Sequence, residues 1–478
     1  MLKHKARSAL LWSGAEILLR QGFYIVVTIV LARLLAPEVF GTVALLYLFG
    51  GLANVFVDGG FSAALIQRKD ITHTDESTVF WFNLLMATLL GLAFCVSAPA
   101  FARFYGQPVL VPLVMLLALN LFLSALSAIH TTLLTRHLEF RLQMKISVAA
   151  GLVSGVVAIA MAWAGYGIWA LAAQVLVATS VNTVLLWLLH AWRPARVFSM
   201  ESVRRLFAFG GYLMIAALMD VFYTRVYSLL IGKMHGVREL GFYNRADGAR
   251  EMPMGILGSL LASVAFPVFS AAAGDREQLR KGVRFSIRSL MLLNIPMMLG
   301  LLAVSGPLIV GLFGQKWQPA VPVLQVMCLA SLLAPLLMLN LQVLKAQGHS
   351  HLFFRLEVFK KVLGTLFLVA GAFFGVLGIV WSTVLFTLIA FLINAHYTGR
   401  FLDYGPRAQI MDCLPVLALA VPMALLVGWL EQRWQTDMAL LELVVLAGVG
   451  AGMFLSMAWL LRLPHLAETI SWFRSRPR

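Results

Sequence analysis

Charge is what this chain has least of. Asp, Glu, Lys and Arg make up 12% of its 478 residues, about half the share of a soluble domain, while 61% are apolar. That much apolar surface exceeds what one core could hide, which excludes a soluble enzyme. Acidic residues are scarcest: 21 against 37 basic ones, a formal net charge of +16. In a soluble protein this excess would point to nucleic acid. Here the basic residues sit in short connectors between apolar runs, where they orient a chain in a membrane, and no nucleic-acid partner is expected. The three cysteines, Cys95, Cys328 and Cys413, lie far apart within or beside apolar stretches. That excludes a disulfide framework and any metal-ligand spacing, and leaves them as small buried hydrophobes. Long soluble loops are missing too. No connector carries Asp-x-Asp, a phosphate-cradling glycine loop or His-x-x-x-His, and His349-Ser-His351 reads as a solvated pair. Neither a catalytic site nor a metal or organic cofactor is expected.

What is present is a series of apolar runs, each near the roughly 20 residues a helix needs to cross the hydrocarbon. Six come first: Ser13–Leu35, Val39–Ile66, Thr78–Phe101, Val109–Leu134, Ile146–Ala164 and Ile168–Trp192. Six follow a basic connector: Phe207–Ile231, Tyr243–Ala272, Ile287–Phe313, Ala320–Leu344, Val362–Phe374 and Leu377–Tyr397. The eleventh is short, and its span is expected to begin earlier, near Glu357. A last pair, Ile410–Leu430 and Met438–Leu461, gives fourteen in all. The first run is too long for a cleavable signal and leads straight into another span. With the N-terminus in the cytoplasm, 27 of the 37 Lys and Arg fall on the cytoplasmic side and eight opposite, while Arg20 and Arg225 lie inside spans. The bias predicts that both termini are cytoplasmic.

The two sets of six resemble each other at an offset of 200–210 residues. Leu31-Ala-Arg-Leu-Leu-Ala-Pro-Glu-Val-Phe-Gly41 parallels Ile231-Gly-Lys-Met-His-Gly-Val-Arg-Glu-Leu-Gly241. Phe104-Tyr-Gly-Gln107 parallels Phe313-Gly-Gln315, and Gly165-Tyr-Gly-Ile-Trp169 parallels Gly375-Val-Leu-Gly-Ile-Val-Trp381. An even number of spans per repeat makes the repeat parallel, with its pseudo-twofold axis along the membrane normal. The expected fold is therefore an all-α polytopic membrane protein of about 14 transmembrane helices. Two pseudo-symmetric six-helix lobes, residues 1–195 and 211–400, would surround a central cavity, and residues 401–478 would add a helix pair and a cytoplasmic tail. The connector 196–210 alternates Val197, Phe198, Val203, Leu206 and Phe207 with Arg196, Glu201, Arg204 and Arg205, as an amphipathic helix lying in the headgroups would.

Asp58-Gly-Gly-Phe-Ser-Ala-Ala-Leu-Ile-Gln-Arg-Lys-Asp70 resembles the second-span signature of bacterial polysaccharide flippases of the colanic-acid and teichuronic-acid exporter type. They belong to the superfamily that also holds multidrug and toxin extrusion carriers. Phe104-Tyr-Gly-Gln-Pro108, Gly165-Tyr-Gly-Ile-Trp-Ala-Leu171, Leu240-Gly-Phe-Tyr-Asn-Arg-Ala246, Phe266-Pro-Val-Phe-Ser270 and Phe313-Gly-Gln-Lys-Trp317 extend the resemblance over roughly residues 5–400. Asp58-Gly-Gly-Phe departs from the more usual Asp-x-Gly-Leu. The resemblance implies a carrier in the bacterial inner membrane, not an enzyme. It would turn undecaprenyl-diphosphate-linked oligosaccharides from the cytoplasmic to the periplasmic leaflet by alternating access, with a polysaccharide polymerase as an expected partner. It also implies a cavity lined by the first, second, seventh and eighth helices, and a groove for the polyprenyl tail on the last two. The alternative within the superfamily is a multidrug antiporter. Arginine-rich spans and the extra helix pair argue against it.

Ionisable residues within spans are costly and mark pathways. Glu16 and Arg20 share a face of the first helix, Asp58 lies toward the cytoplasmic end of the second, and Asp220 and Arg225 lie within the seventh. Arg245, Asp247 and Arg250, with Glu251, crowd the outer half of the eighth. The repeat offset aligns Arg20 with Asp220, so the two are expected to pair when the cavity is empty, with Arg20 meeting a substrate phosphate when it is loaded. A diphosphate moving outward under an inside-negative potential gains about 4–5 kcal/mol per 100 mV for two charges. Coupling to H+ or Na+ is therefore not demanded, although Glu16, Asp58 and Asp220 could carry either.

Overall fold

Breaks, as much as helices, shape this fold. The structure, a computed structural model, describes residues 21–271, 274–434 and 438–461. The first described helix, α1, runs Gln21–Leu34. It is followed by α2 (Pro37–Asp58), α3 (Phe61–Gln67), α4 (His73–Tyr105), α5 (Leu110–Arg136), α6 (Phe140–Trp163), α7 (Ile168–Leu189), α8 (Met200–Met234) and α9 (Val237–Ala271). Then come α10 (Arg276–Ala303), α11 (Ser305–Phe313), a 3-10 turn at Gln315–Trp317, α12 (Ala320–Ser331), α13 (Ala334–Ala346), α14 (Ser350–Ala372), α15 (Gly375–Leu402), α16 (Pro406–Arg433) and α17 (Ala439–Leu460). Eleven spans among the described residues are long and apolar enough to cross a membrane. The predicted runs that remain fall on α1, α9 and α14. The protein is a multi-pass, all-α membrane protein. As expected, the eleventh span starts early, at Ser350.

Three predicted runs are each two helices. The second breaks at Gly59 and Gly60, both left-handed with φ of 57° and 76°. A Cβ at Gly60 would also overlap the Gly210 backbone of α8. The ninth breaks at Val304, between α10 and α11. The tenth breaks between Ser331 and Ala334, where Pro335 opens the new helix. Carbonyls freed at membrane depth need donors. Asn294 Nδ2 supplies them, donating to Ser331 O at 3.2 Å and Leu332 O at 2.9 Å. Replacing Gly60 by Ala combines a left-handed penalty with a backbone collision, and is expected to cost at least about 3 kcal/mol. Gly106→Ala, also left-handed (φ 65°) but with open space around it, carries the first penalty alone. Unfolding temperatures of the two purified variants would compare them; equal losses would refute the close approach.

Contacts divide the described chain after Gly241, so α8 packs with α1–α7 in a first unit and Phe242 onward forms a second. That boundary falls one helix later than residue 195. Residues 200–210 are not a separate surface helix but the first turns of α8, with Leu206 fully buried. The residues before them form a strap hydrogen-bonded to the start of α4. Trp81 Nε1 donates to Ala195 O at 2.8 Å, Ala195 N to Ser77 Oγ at 3.0 Å and Ser199 N to Thr78 Oγ1 at 3.1 Å. Arg205 Nη2 reaches the buried Asp75 Oδ2 at 2.6 Å. Asp75 also closes a capping box with Thr72. These partners anchor the segment on protein. Phe198 and Met200 stay exposed.

Inside the first unit the repeated motif meets its counterpart. A Cβ on Gly41 would overlap the Val237 carbonyl, and one on Gly241 the Pro37 carbonyl. Arg238 Nε stands 3.2 Å from Glu38 Oε1. Each contact is reciprocated 200 residues away, as in a self-complementary, twofold contact. In the second unit, Ile287, Leu339, Phe391, Val416 and Phe454 belong to a core shared by α10, α13, α15, α16 and α17.

Candidate functional site

Uncharged polar residues recur along one side of three helices of the first unit. On α5 they are Ser124, Ser127 and Thr131; on α6, Gln143, Ser147 and Ser154; on α7, Gln174, Thr179 and Asn182. Steps of three, four and seven residues put the α5 and α6 sets each on one face, and the α7 set, with steps of five and three, covers a wider arc. The fold turns the three faces toward one cleft of about 790 Å³, which Phe23, Tyr24 and Val27 of α1 and Tyr47 of α2 also line. No Asp, Glu, Lys or Arg is among its described lining residues.

The hydroxyls divide into two kinds. Ser127 and Ser154 donate to carbonyls of their own helices, at 2.9 and 3.0 Å. They are satisfied without a ligand. The side chains of Gln143, Ser147, Gln174 and Asn182 make no hydrogen bond among the described residues, and the Gln143 amide oxygen is buried without a partner. An unpaired amide at this depth is costly, so the cleft is built to be filled by water or by a hydroxylated ligand. Neutral donors and acceptors beside tyrosine and phenylalanine rings suit a sugar, whose hydroxyls need hydrogen bonds and whose C–H faces pack on aromatic surface. A cationic drug would want a carboxylate, and none is among the described residues that line this cleft.

The described charged residues among those singled out from sequence are not in the lining of this cleft. Glu16 and Arg20 fall outside the described residues, and with them the expected Arg20–Asp220 pair. Asp58 ends α2 and holds the glycine corner: its Oδ1 accepts from Ser62 Oγ at 2.5 Å, and Ser62 Oγ lies 2.9 Å from Thr132 Oγ1. Asp220 is exposed on α8, its carbonyl accepting from Thr224 Oγ1 at 2.8 Å. Arg225 sits with its guanidinium carbon 5.7 Å from the ring centre of Tyr47, which brings a cation to one wall residue of the cleft. In the second unit, Arg245 lies over the rings of Phe313 and Trp317, at 4.8 and 5.1 Å. Arg250 is shared between Asp247, at 2.7 Å, and Glu251, and also donates to Ser331 Oγ at 3.3 Å. With two carboxylates on one guanidinium, this cluster is net negative. Sequence reasoning followed charge and so passed over the neutral stripes, whose spacing was visible all along.

The sequence profile of the family described as "Polysaccharide biosynthesis protein" matches residues 30–322, more than half of the chain. The teichuronic acid biosynthesis protein TuaB of Bacillus subtilis is 30% identical over 378 residues, 78% of each chain. The chain belongs to the polysaccharide biosynthesis protein family. Another relative of this family member, the succinoglycan biosynthesis transport protein ExoT of Rhizobium meliloti, is 28% identical over 436 residues, covering 90% of this chain and 87% of its own. Among solved structures, the lipid II flippase MurJ in its inward closed conformation superposes with a TM-score of 0.73 at 14% identity, covering 95% of this chain and 99% of that one. At that identity the likeness is one of fold.

Proposed function

We propose that this polysaccharide biosynthesis protein is a carrier, not an enzyme. It moves polyprenyl-diphosphate-linked oligosaccharide units from the cytoplasmic to the outer leaflet of a bacterial inner membrane, by alternating access, with both termini in the cytoplasm. The observation that carries this reading is the neutral, hydroxyl- and amide-lined cleft of the first unit, of a size and chemistry suited to sugar rings. The names of the relatives and the flippase fold support it. In this reading Gln143, Gln174 and Asn182 take sugar hydroxyls, and Arg225, with Arg20, meets the diphosphate. Asp58 holds the corner between α2 and α3 within the same unit.

Deleting the gene is expected to abolish the surface polysaccharide and to leave its lipid-linked repeat unit accumulating in the inner leaflet, as measured by lipid extraction and glycan analysis. Normal polysaccharide with raised drug sensitivity would overturn the proposal in favour of a multidrug antiporter. In proteoliposomes, an inside-negative potential is expected to speed outward movement, because the diphosphate is anionic. Equal rates at zero potential would refute electrophoretic drive.

A further inference from the structure

Two carboxylates of the second unit, Glu431 near the end of α16 and Glu442 near the start of α17, line one cleft of about 670 Å³. Neither appears in the transport reading above. Glu442 is only 7% exposed, yet its carboxylate forms no hydrogen bond or ion pair among the described residues. The Glu442 side chain is thus largely covered while its unpaired carboxylate opens onto the cleft, where a second carboxylate adds repulsion. Glu431 is set by close packing: an added Cβ at Gly306 would come within 2.5 Å of Glu431 Oε1. The glycine thus lets this carboxylate lie against the first turn of α11, where the N-terminal helix dipole favours an anion. Below, Val304, Val427 and Leu446 form an apolar floor. Gln315, Gln318 and Gln432 line the cleft with amides. Arg433 is turned to the Trp429 ring, 4.7 Å from its centre, rather than to either glutamate.

We infer that Glu431 and Glu442 bind a divalent, oxygen-seeking cation of the Ca2+ kind. Two carboxylates match its charge, amide oxygens and water complete an oxygen shell, and no cysteine or histidine is among the described lining residues to favour a softer metal. The ion joins α16 and α17 across the connection between them, and so clasps the final helix pair to α11.

The test is thermal unfolding of the purified full-length protein in detergent, titrated with CaCl2 against NaCl at matched ionic strength. Calcium is expected to raise the unfolding temperature of the wild type by about 2–4 °C or more, the shift that native-state ligand binding gives at saturation. Glu442→Gln and the double variant with Glu431→Gln are expected to lose that rise. Without calcium they should be at least as stable as wild type, because the repulsion is gone. Glu442→Asp, which keeps the charge, is expected to retain part of the response. Terbium luminescence sensitised by tryptophan provides a second readout, expected in the wild type and lost in the double variant. An equal calcium response in wild type and double variant, no response in wild type, or a response to sodium as large as to calcium would each overturn the assignment. The last two outcomes would favour a protonated Glu442 and a sodium site respectively.

Discussion

Replacing Gln143, Gln174 and Asn182 together by Leu is expected to lower export by about two orders of magnitude while leaving the amount of folded protein in the membrane unchanged. All three line the first-unit cleft, and none hydrogen-bonds another described residue through its side chain. Their loss therefore breaks nothing in the empty protein, and removing the unpaired Gln143 oxygen favours the fold slightly. A bound sugar would lose one hydrogen bond per substitution. At about 1 kcal/mol each, a factor of about five, three losses multiply to roughly a hundredfold. The measurement is surface polysaccharide and accumulated lipid-linked intermediate in a deletion strain carrying the variant, with membrane abundance checked in parallel. Gly151→Trp should act in the same direction by filling the cleft. Only Phe23 Cδ1, at 3.7 Å, lies near an added Cβ there, so the new side chain has room to enter. Undiminished export by both variants would remove the cleft from the substrate path.

Asp412→Ala is expected to be the most damaging single substitution for stability. This carboxylate, 7% exposed, takes four donors. Arg284 Nε gives 2.7 Å and Tyr404 OH 2.8 Å to Oδ2, while Arg284 Nη2 gives 2.9 Å and Arg288 Nη2 2.7 Å to Oδ1. Tyr404 lies outside the spans, in the turn between α15 and α16. Burial and the Asp412 carboxylate push its phenol above the usual range, which keeps it protonated and donating. Removing the carboxylate leaves two guanidinium groups in a site shaped for their common partner. Breaking a buried charge network in this way costs about 3–5 kcal/mol, so the unfolding temperature should fall by about 10 °C. Asp412→Asn keeps the size without the charge and should fall between the two. An unchanged unfolding temperature for the alanine variant would show that the arginines find equivalent partners.

The spans were legible because a bilayer imposes one simple demand, about 20 apolar residues per crossing, and composition alone answers it. All fourteen predicted runs meet helices. The duplication was legible in the same way, and Glu38–Arg238 and Gly41–Gly241 show repeat-related residues in reciprocal contact. The Asp58-Gly-Gly-Phe motif was legible as a signature, but not that its glycines would turn a corner against Gly210. Hydropathy averages over a window, and so it ran through the breaks at Val304 and near Leu332. The second of these depends on one residue from another helix, Asn294, to receive it.

Charge guided the search for a site along the sequence. Arg245 is spent on aromatic faces and Arg250 on its own helix's carboxylates, contacts no one-dimensional reading distinguishes from an open anion site. The amino-acid sequence by itself determined that this chain lives in a membrane, roughly where its apolar spans fall and that it is built from a repeat. These follow from local, additive transfer energies along the chain. Which polar faces converge on one cleft, and which two glutamates share another, only the tertiary structure decided. Convergence depends on how helices are rotated against their neighbours, and that is a property of packing rather than of any single segment.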